Sequence, residues 1–242
     1  MAIVTLDGGQ SAAGAAGQTA LYIRQLLQQQ LPGCPDALVD SQLQLVLRDF
    51  YSFTTAWRDV IGPYSINANQ DTVNLNPVDQ NRQVQFALKA WIYPLFGGNA
   101  RQFLTPAVRK VIGNDKDLPS TWFMQDPSTL VFYPVPDKTY GRALFVYASL
   151  IPTALAAQLP VITFTHHLDA ILFGTLARLY RMPQKPWTDK ALSMSYEKDY
   201  KRHRLTWRDV AERNYSPADA PMCYPPFAGR SSSQILQKAV LG

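Results

Sequence analysis

Between residues 159 and 187, Leu168, Ile171, Leu172, Thr175, Leu176 and Leu179 recur at i, i+3, i+4, i+7, i+8 and i+11, the spacing of one buried helical face. Pro183 and Pro186 stop that helix, and Thr188 is placed to cap a second, so the pattern predicts a hairpin of helices 160–181 and 188–214. Gly174 falls in the middle of the first, where it costs about 1 kcal/mol relative to Ala unless another helix or chain crosses closely. Two helices are predicted upstream. The first, 19–30, carries Leu21, Leu26 and Leu27 beside a run of Gln; LPGCP at 31–35 breaks it. Asp36 then caps the next, in which Val39, Leu43, Leu47, Phe50, Trp57 and Ile61 hold a helical period until Gly62 and Pro63 end it at residue 61.

The period changes to two in a β region over 72–152. Val84, Phe86, Leu88, Ala90 and Ile92 alternate with Gln85 and Lys89, which predicts a strand with one buried face. Residues 122–124 and 130–133, joined by DPST at 126–129, read as a hairpin, and 142–151 reads as a further strand closed by Pro152. Four or more antiparallel strands are expected. The fold class implied is α+β, a helical bundle with an inserted antiparallel β-sheet and extended termini.

Both ends are compositionally different. Residues 1–17, rich in Gly and Ala, read as a flexible arm, and 18–215 as one domain. Residues 216–242 read as an assembly tail whose proline-rich first part cannot hold a packed element, followed by Ile235, Leu236, Val240 and Leu241. Those four apolar residues need a surface to cover them, so with Gly174 they are the candidate assembly contacts. The chain has 242 residues, 47% of them hydrophobic, which is ample for a core. No run approaches the roughly 20 apolar residues of a membrane helix, so no membrane partner is expected. Cys34 and Cys223 lack any paired spacing and read as reduced thiols of a protein made in a cytosol. The net charge of +5 permits an acidic partner without demanding one.

Chemistry is sparse. His166, His167 and Asp169 are the residues from which a metal site could be imagined, but neighbours on a helix point about 100° apart and no further cluster supports them. Neither a GxSxG elbow nor a phosphate-cradling glycine loop is present. No catalytic residue, cofactor or metal is therefore assigned. In the last helix Lys198, Lys201, Arg202, His203, Arg204 and Arg208 concentrate positive charge beside Tyr200 and Trp207. Tyr196, Tyr200, His203, Trp207 and Val210 fall on one helical stripe, so the aromatics read as the buried face and the charges as the solvated one. Glu197, Asp199, Asp209 and Glu212 offer partners along the helix. Lys201, Arg202 and Arg204 stay as the candidate DNA-facing residues.

An ordered series of short motifs carries a resemblance: LPGCPDALV at 31–39, RDFY at 48–51, AWR at 56–58, LVFYPVPD at 130–137, LIP at 150–152, HHLDAILFGTLARLYRMP at 166–183 and KPWTD at 185–189. Over roughly residues 31–214 the chain resembles the head-to-tail connector, or adaptor, proteins of tailed bacteriophages. The resemblance implies a structural virion protein rather than an enzyme. Such adaptors form a homo-oligomeric ring, commonly of twelve copies, docked beneath the portal protein. They offer a platform to a tail or nozzle protein, and genome DNA passes through the channel without sequence-specific binding. The implied location is the neck of the virion, after assembly in the host cytoplasm. Another tail-completion or capsid interaction protein is the alternative, and a hydrolase lacking recognisable motifs comes third.

Overall fold

The computed structural model describes residues 13–76, 78–93, 101–107, 115–153, 156 and 159–213. Two helices, α1 (Ala13–Gln30) and α2 (Asp36–Thr54), lead into strands β1 (Arg58–Ile66), β2 (Thr72–Asn74), β3 (Arg82–Ile92) and β4 (Gln102–Pro106). The short β5 (Lys116–Asp117) precedes β6 (Thr121–Asp126), β7 (Thr129–Tyr133), β8 (Val135–Pro136) and the long β9 (Tyr140–Pro152). Helices α3 (Ile162–Thr165), α4 (Leu168–Tyr180) and α5 (Lys190–Glu212) follow.

The main body is a seven-stranded mixed sheet in the order β1-β9-β3-β4-β6-β7-β2, not a helical bundle holding an inserted sheet. Neighbours pair antiparallel except β4 and β6, which run parallel through Thr105 opposite Thr121 and Pro106 opposite Trp122. Edge strands β1 and β2 touch, so the sheet curls nearly into a barrel. Curling leaves an interior for every second side chain of β9: Leu144, Val146, Ala148 and Leu150 are all fully buried. Paired with them are Ala90 and Ile92 of β3 and Ile61 of β1, also buried.

Three local features explain why the sheet outweighs its sequence signal. The helix expected to run to residue 61 ends at Thr54, because Thr55 adopts a left-handed conformation (φ 52°) and its N–H caps the Tyr51 carbonyl. Trp57 and Ile61 keep a four-residue spacing, but Ile61 faces inward from a strand opposite Val146. Gly62, expected as a stop, lies inside β1 at a bulge with φ +121°; a Cβ there would sit 2.7 Å from the Leu144 carbonyl oxygen. In β3 the register shifts between Val84 and Phe86 and again between Ala87 and Lys89. The expected alternation fails there: Ala87 is buried, whereas Phe86 and Leu88 are half-buried. The expected 122–133 hairpin forms as β6 and β7, with the Asp126 carboxylate accepting from the backbone N–H groups of Ser128 and Thr129 across the turn.

Helix α2 joins the sheet to the remaining helices, packing on β9 and also against α4 and α5. The helices do meet one another, but as a layer beside the sheet. The hairpin predicted at 160–181 and 188–214 divides into the single turn α3, then α4, then α5. Asp189 rather than Thr188 caps α5, accepting from Leu192 N–H at 3.0 Å, while the Thr188 hydroxyl donates to the Met182 carbonyl. Helix α1 begins at Ala13, so residues 13–17, expected in the flexible arm, are helical; residues 1–12 lie outside the described residues.

Gly174 marks the crossing of the three helices. A Cβ at this position would lie 2.7 Å from Val46 Cγ1 and 2.9 Å from the Tyr200 ring. The crossing elements are α2 and α5 of the same chain. Neither obstacle swings away easily: Val46 is buried, and the Tyr200 hydroxyl is tied to Asp49 at 2.7 Å. Gly174→Ala should therefore destabilise the protein, because overpacking costs about 1–3 kcal/mol against a gain of about 1 kcal/mol in helix propensity. Denaturant melts measure the balance. A variant more stable than the parent would mean that α2 and α5 move apart freely.

Candidate functional site

A concavity with converging charged groups lies where α2, α4 and α5 meet. It encloses about 580 Å³, lined by Gln42 and Asp49 of α2, Gly174, Ala177 and Arg178 of α4, the Arg181–Pro183 turn, and Glu197, Tyr200, Lys201 and Arg204 of α5. Each α5 residue arrives there because positions three and four apart share a helix face. A second compartment of about 460 Å³ shares Arg181, Pro183 and Glu197 with the first and adds Tyr180, Thr188, Lys190, Ser193 and Met194. The Arg181–Glu197 ion pair stands between the two.

Four cations and two carboxylates line the first compartment. Arg204 is the best held: its guanidinium lies 3.9 Å from the centre of the Phe53 ring, and it pairs with Asp49 at 2.7 Å. The same carboxylate accepts from the Tyr200 hydroxyl, and burial together with Asp49 raises the Tyr200 pKa, so the phenol stays a donor. Glu197 bridges Lys201 at 2.8 Å and Arg181, whose charges hold its carboxyl below the ordinary value. Arg178 is exposed and makes no ion pair among the described residues. Two positive charges are thus left over, on a fixed frame open to solvent.

Three of the candidate site residues meet in this cleft, Gly174, Lys201 and Arg204, together with Glu197 and Tyr200 of the basic helix. Arg202 does not line it and points from the exposed side of α5. Arg178, Arg181 and Asp49 were not foreseen as site residues. The first two sit i, i+3 on the hairpin's first helix, a pairing visible in sequence, but nothing there shows that α2 brings Asp49 to them. Among the expected helical partners, Glu197, Asp209 and Glu212 do pair along α5, with Lys201, Arg213 and Arg208. The candidate contacts Ile235, Leu236, Val240 and Leu241, and Cys223, lie outside the described residues.

His166 and His167 separate as their adjacency requires. His166 is exposed beside the Trp207 ring, whereas His167 is fully buried against Phe50, Tyr51 and Trp207. Its Nδ1 lies 3.4 Å from the Tyr51 hydroxyl and its Nε2 has no hydrogen-bond partner among the described residues. Burial, aided by the neighbouring His166, lowers the His167 pKa to about 4, so the ring is neutral at pH 7. Asp169 is exposed on α4, and among the described residues no group of three His, Cys, Asp or Glu side chains could hold a metal ion. Cys34 is a buried free thiol whose pKa burial and Asp36 raise, an unreactive setting.

Large apolar side chains are exposed on both helices and sheet: Met194 within the second compartment, and outside the cleft Leu21 and Tyr22 on α1, Leu45 on α2, Leu192 and Leu205 on α5, Val60 on β1 and Phe103 on β4. Phe103 ends a row across three strands, its ring 6.1 Å from Trp91, which stacks at 6.0 Å on Phe145. No helix of the described residues is long and apolar enough to cross a membrane. No protein-family model matches the chain, and no curated protein matches it.

Proposed function

We propose that the chain is a structural subunit of a virion neck, a head-to-tail connector that assembles as a ring beneath the portal protein and receives a tail or nozzle protein. The observation that carries this reading is the ordered motif series over residues 31–214, which resembles the bacteriophage adaptors. The surface supports it in physical terms. A ring is a heterologous contact, in which one face of each subunit meets a different face of the next, so it needs apolar residues on two distinct surfaces. Leu205 on α5 offers one, and Val60 and Phe103 on the sheet offer another. In this reading genome DNA passes through the ring without base-specific contact, and the role is structural, not catalytic.

Negative-stain electron microscopy of the purified chain, alone and mixed with portal rings, tests the proposal. Rings with a central opening, free or seated on the portal, are expected. Compact monomers in both preparations would overturn it.

A further inference from the structure

We propose that the two-compartment groove between α2, α4 and α5 is a docking site for an acidic amphipathic segment of a partner protein. Four cations face the first compartment and only two carboxylates answer them, so it carries an excess of two positive charges. Arg178 and Arg181 stand one helical turn apart on the same wall, which suits a pair of carboxylates projecting from a peptide at similar spacing. Arg204 is fixed in advance by Asp49 and Phe53, so it loses little freedom when a ligand arrives. The second compartment is different in kind: Met194 is 62% exposed there, beside Tyr180 and Pro183. A ligand spanning both needs acidic groups at one end and apolar groups at the other, the pattern of a helix laid in a groove. Nucleic acid fits less well. A continuous phosphate backbone would meet Asp49 and Glu197 within the same walls, and it has no use for Met182, Pro183 and Met194. The inference stands on the groove alone, whether or not the chain forms a ring.

The experiment is fluorescence anisotropy with the full chain and a labelled helix-forming peptide of about four turns, with Glu on one half and Leu on the other. Binding should be measurable at low salt and weaken as NaCl is raised, since the groove is open to screening. Arg178→Glu combined with Arg181→Glu should weaken it about tenfold or more. Arg202→Glu, a charge reversal of the same kind on α5 outside the groove, should leave the affinity unchanged, as should its combination with Lys198→Glu, which matches the double variant's total change in charge; the melting temperatures of these variants should stay at the parent's value. If the double variant melts early, Arg178→Gln replaces it, with a smaller loss expected. The proposal is overturned if a peptide with every Glu changed to Gln binds as well, or if Arg202→Glu weakens binding as much as the groove variants. It is overturned equally if duplex DNA displaces the peptide at lower concentration than unlabelled peptide does, which would assign the groove to phosphate.

Discussion

Replacing Phe50 by Ala should lower the stability of the protein by about 3–5 kcal/mol, enough to move the melting temperature by on the order of 10 °C. Phe50 is fully buried on the face of α2 that meets the C-terminal helices. Its ring sits 5.0 Å from His167 and edge-on to Tyr51 at 5.4 Å, and Tyr51 in turn packs on Trp57 at the entry to β1. The residue therefore lies on the seam between helices and sheet. Truncation removes its apolar area and leaves a cavity whose rim includes a histidine ring already short of a partner. For a domain whose whole stability is about 5–15 kcal/mol, this is a large fraction. Urea denaturation measures it, with an unchanged slope if only stability is altered. A loss below about 1 kcal/mol would mean that α2 is not the link between the two layers.

What could be read from the sequence depended on whether one element alone carried the signal. Helix α4 was legible because Leu168, Ile171, Thr175, Leu176 and Leu179 repeat on one face, and α5 because Tyr196, Tyr200, His203 and Trp207 do, with Pro183 and Pro186 marking the break between them. The β6–β7 hairpin was legible because Asp126 closes its own turn. β1 was not, because Trp57 and Ile61 satisfy a helical spacing while serving an extended chain, and the left-handed Thr55 that ends α2 has no glycine to announce it. β2 and β4, of three and five residues, are too short to show a period, and the bulges in β3 erase the one it has. Because those strands carry so little periodic signal, the helices dominate the sequence pattern although the sheet is the body of the protein. The cleft was half-legible for a related reason. Lys201 and Arg204 stood out as part of a basic helix and Gly174 as a crossing point, whereas Asp49 joins them only through the packing of α2 across α4 and α5.

Stability should fall by about 3 kcal/mol between pH 6.5 and pH 4 through His167 alone. The ring is sealed beneath Phe50, Tyr51 and Trp207, and the polar group facing it is the Tyr51 hydroxyl, itself engaged with Thr163. Exposed His166, adjacent in the chain, adds a repulsive charge when it is protonated. Folded His167 thus takes up a proton only near pH 4, while the unfolded chain does so near 6.5. Above pH 6.5 both states are neutral and the contribution is fully present. As pH falls below 6.5 the unfolded state binds the proton first and is favoured, until the folded state protonates as well and the dependence levels off. Carboxylates paired in the folded protein weaken over part of the same range, so the parent must be compared with His167→Asn, which cannot titrate. Asn lowers stability at every pH by leaving a smaller side chain in the pocket, but its curve should be flatter by about 3 kcal/mol over that interval. Guanidinium denaturation at pH 7, 5.5 and 4 gives both curves. Parallel curves would show that His167 is protonated in the folded state at no greater cost than in water, and that Nε2 has a partner.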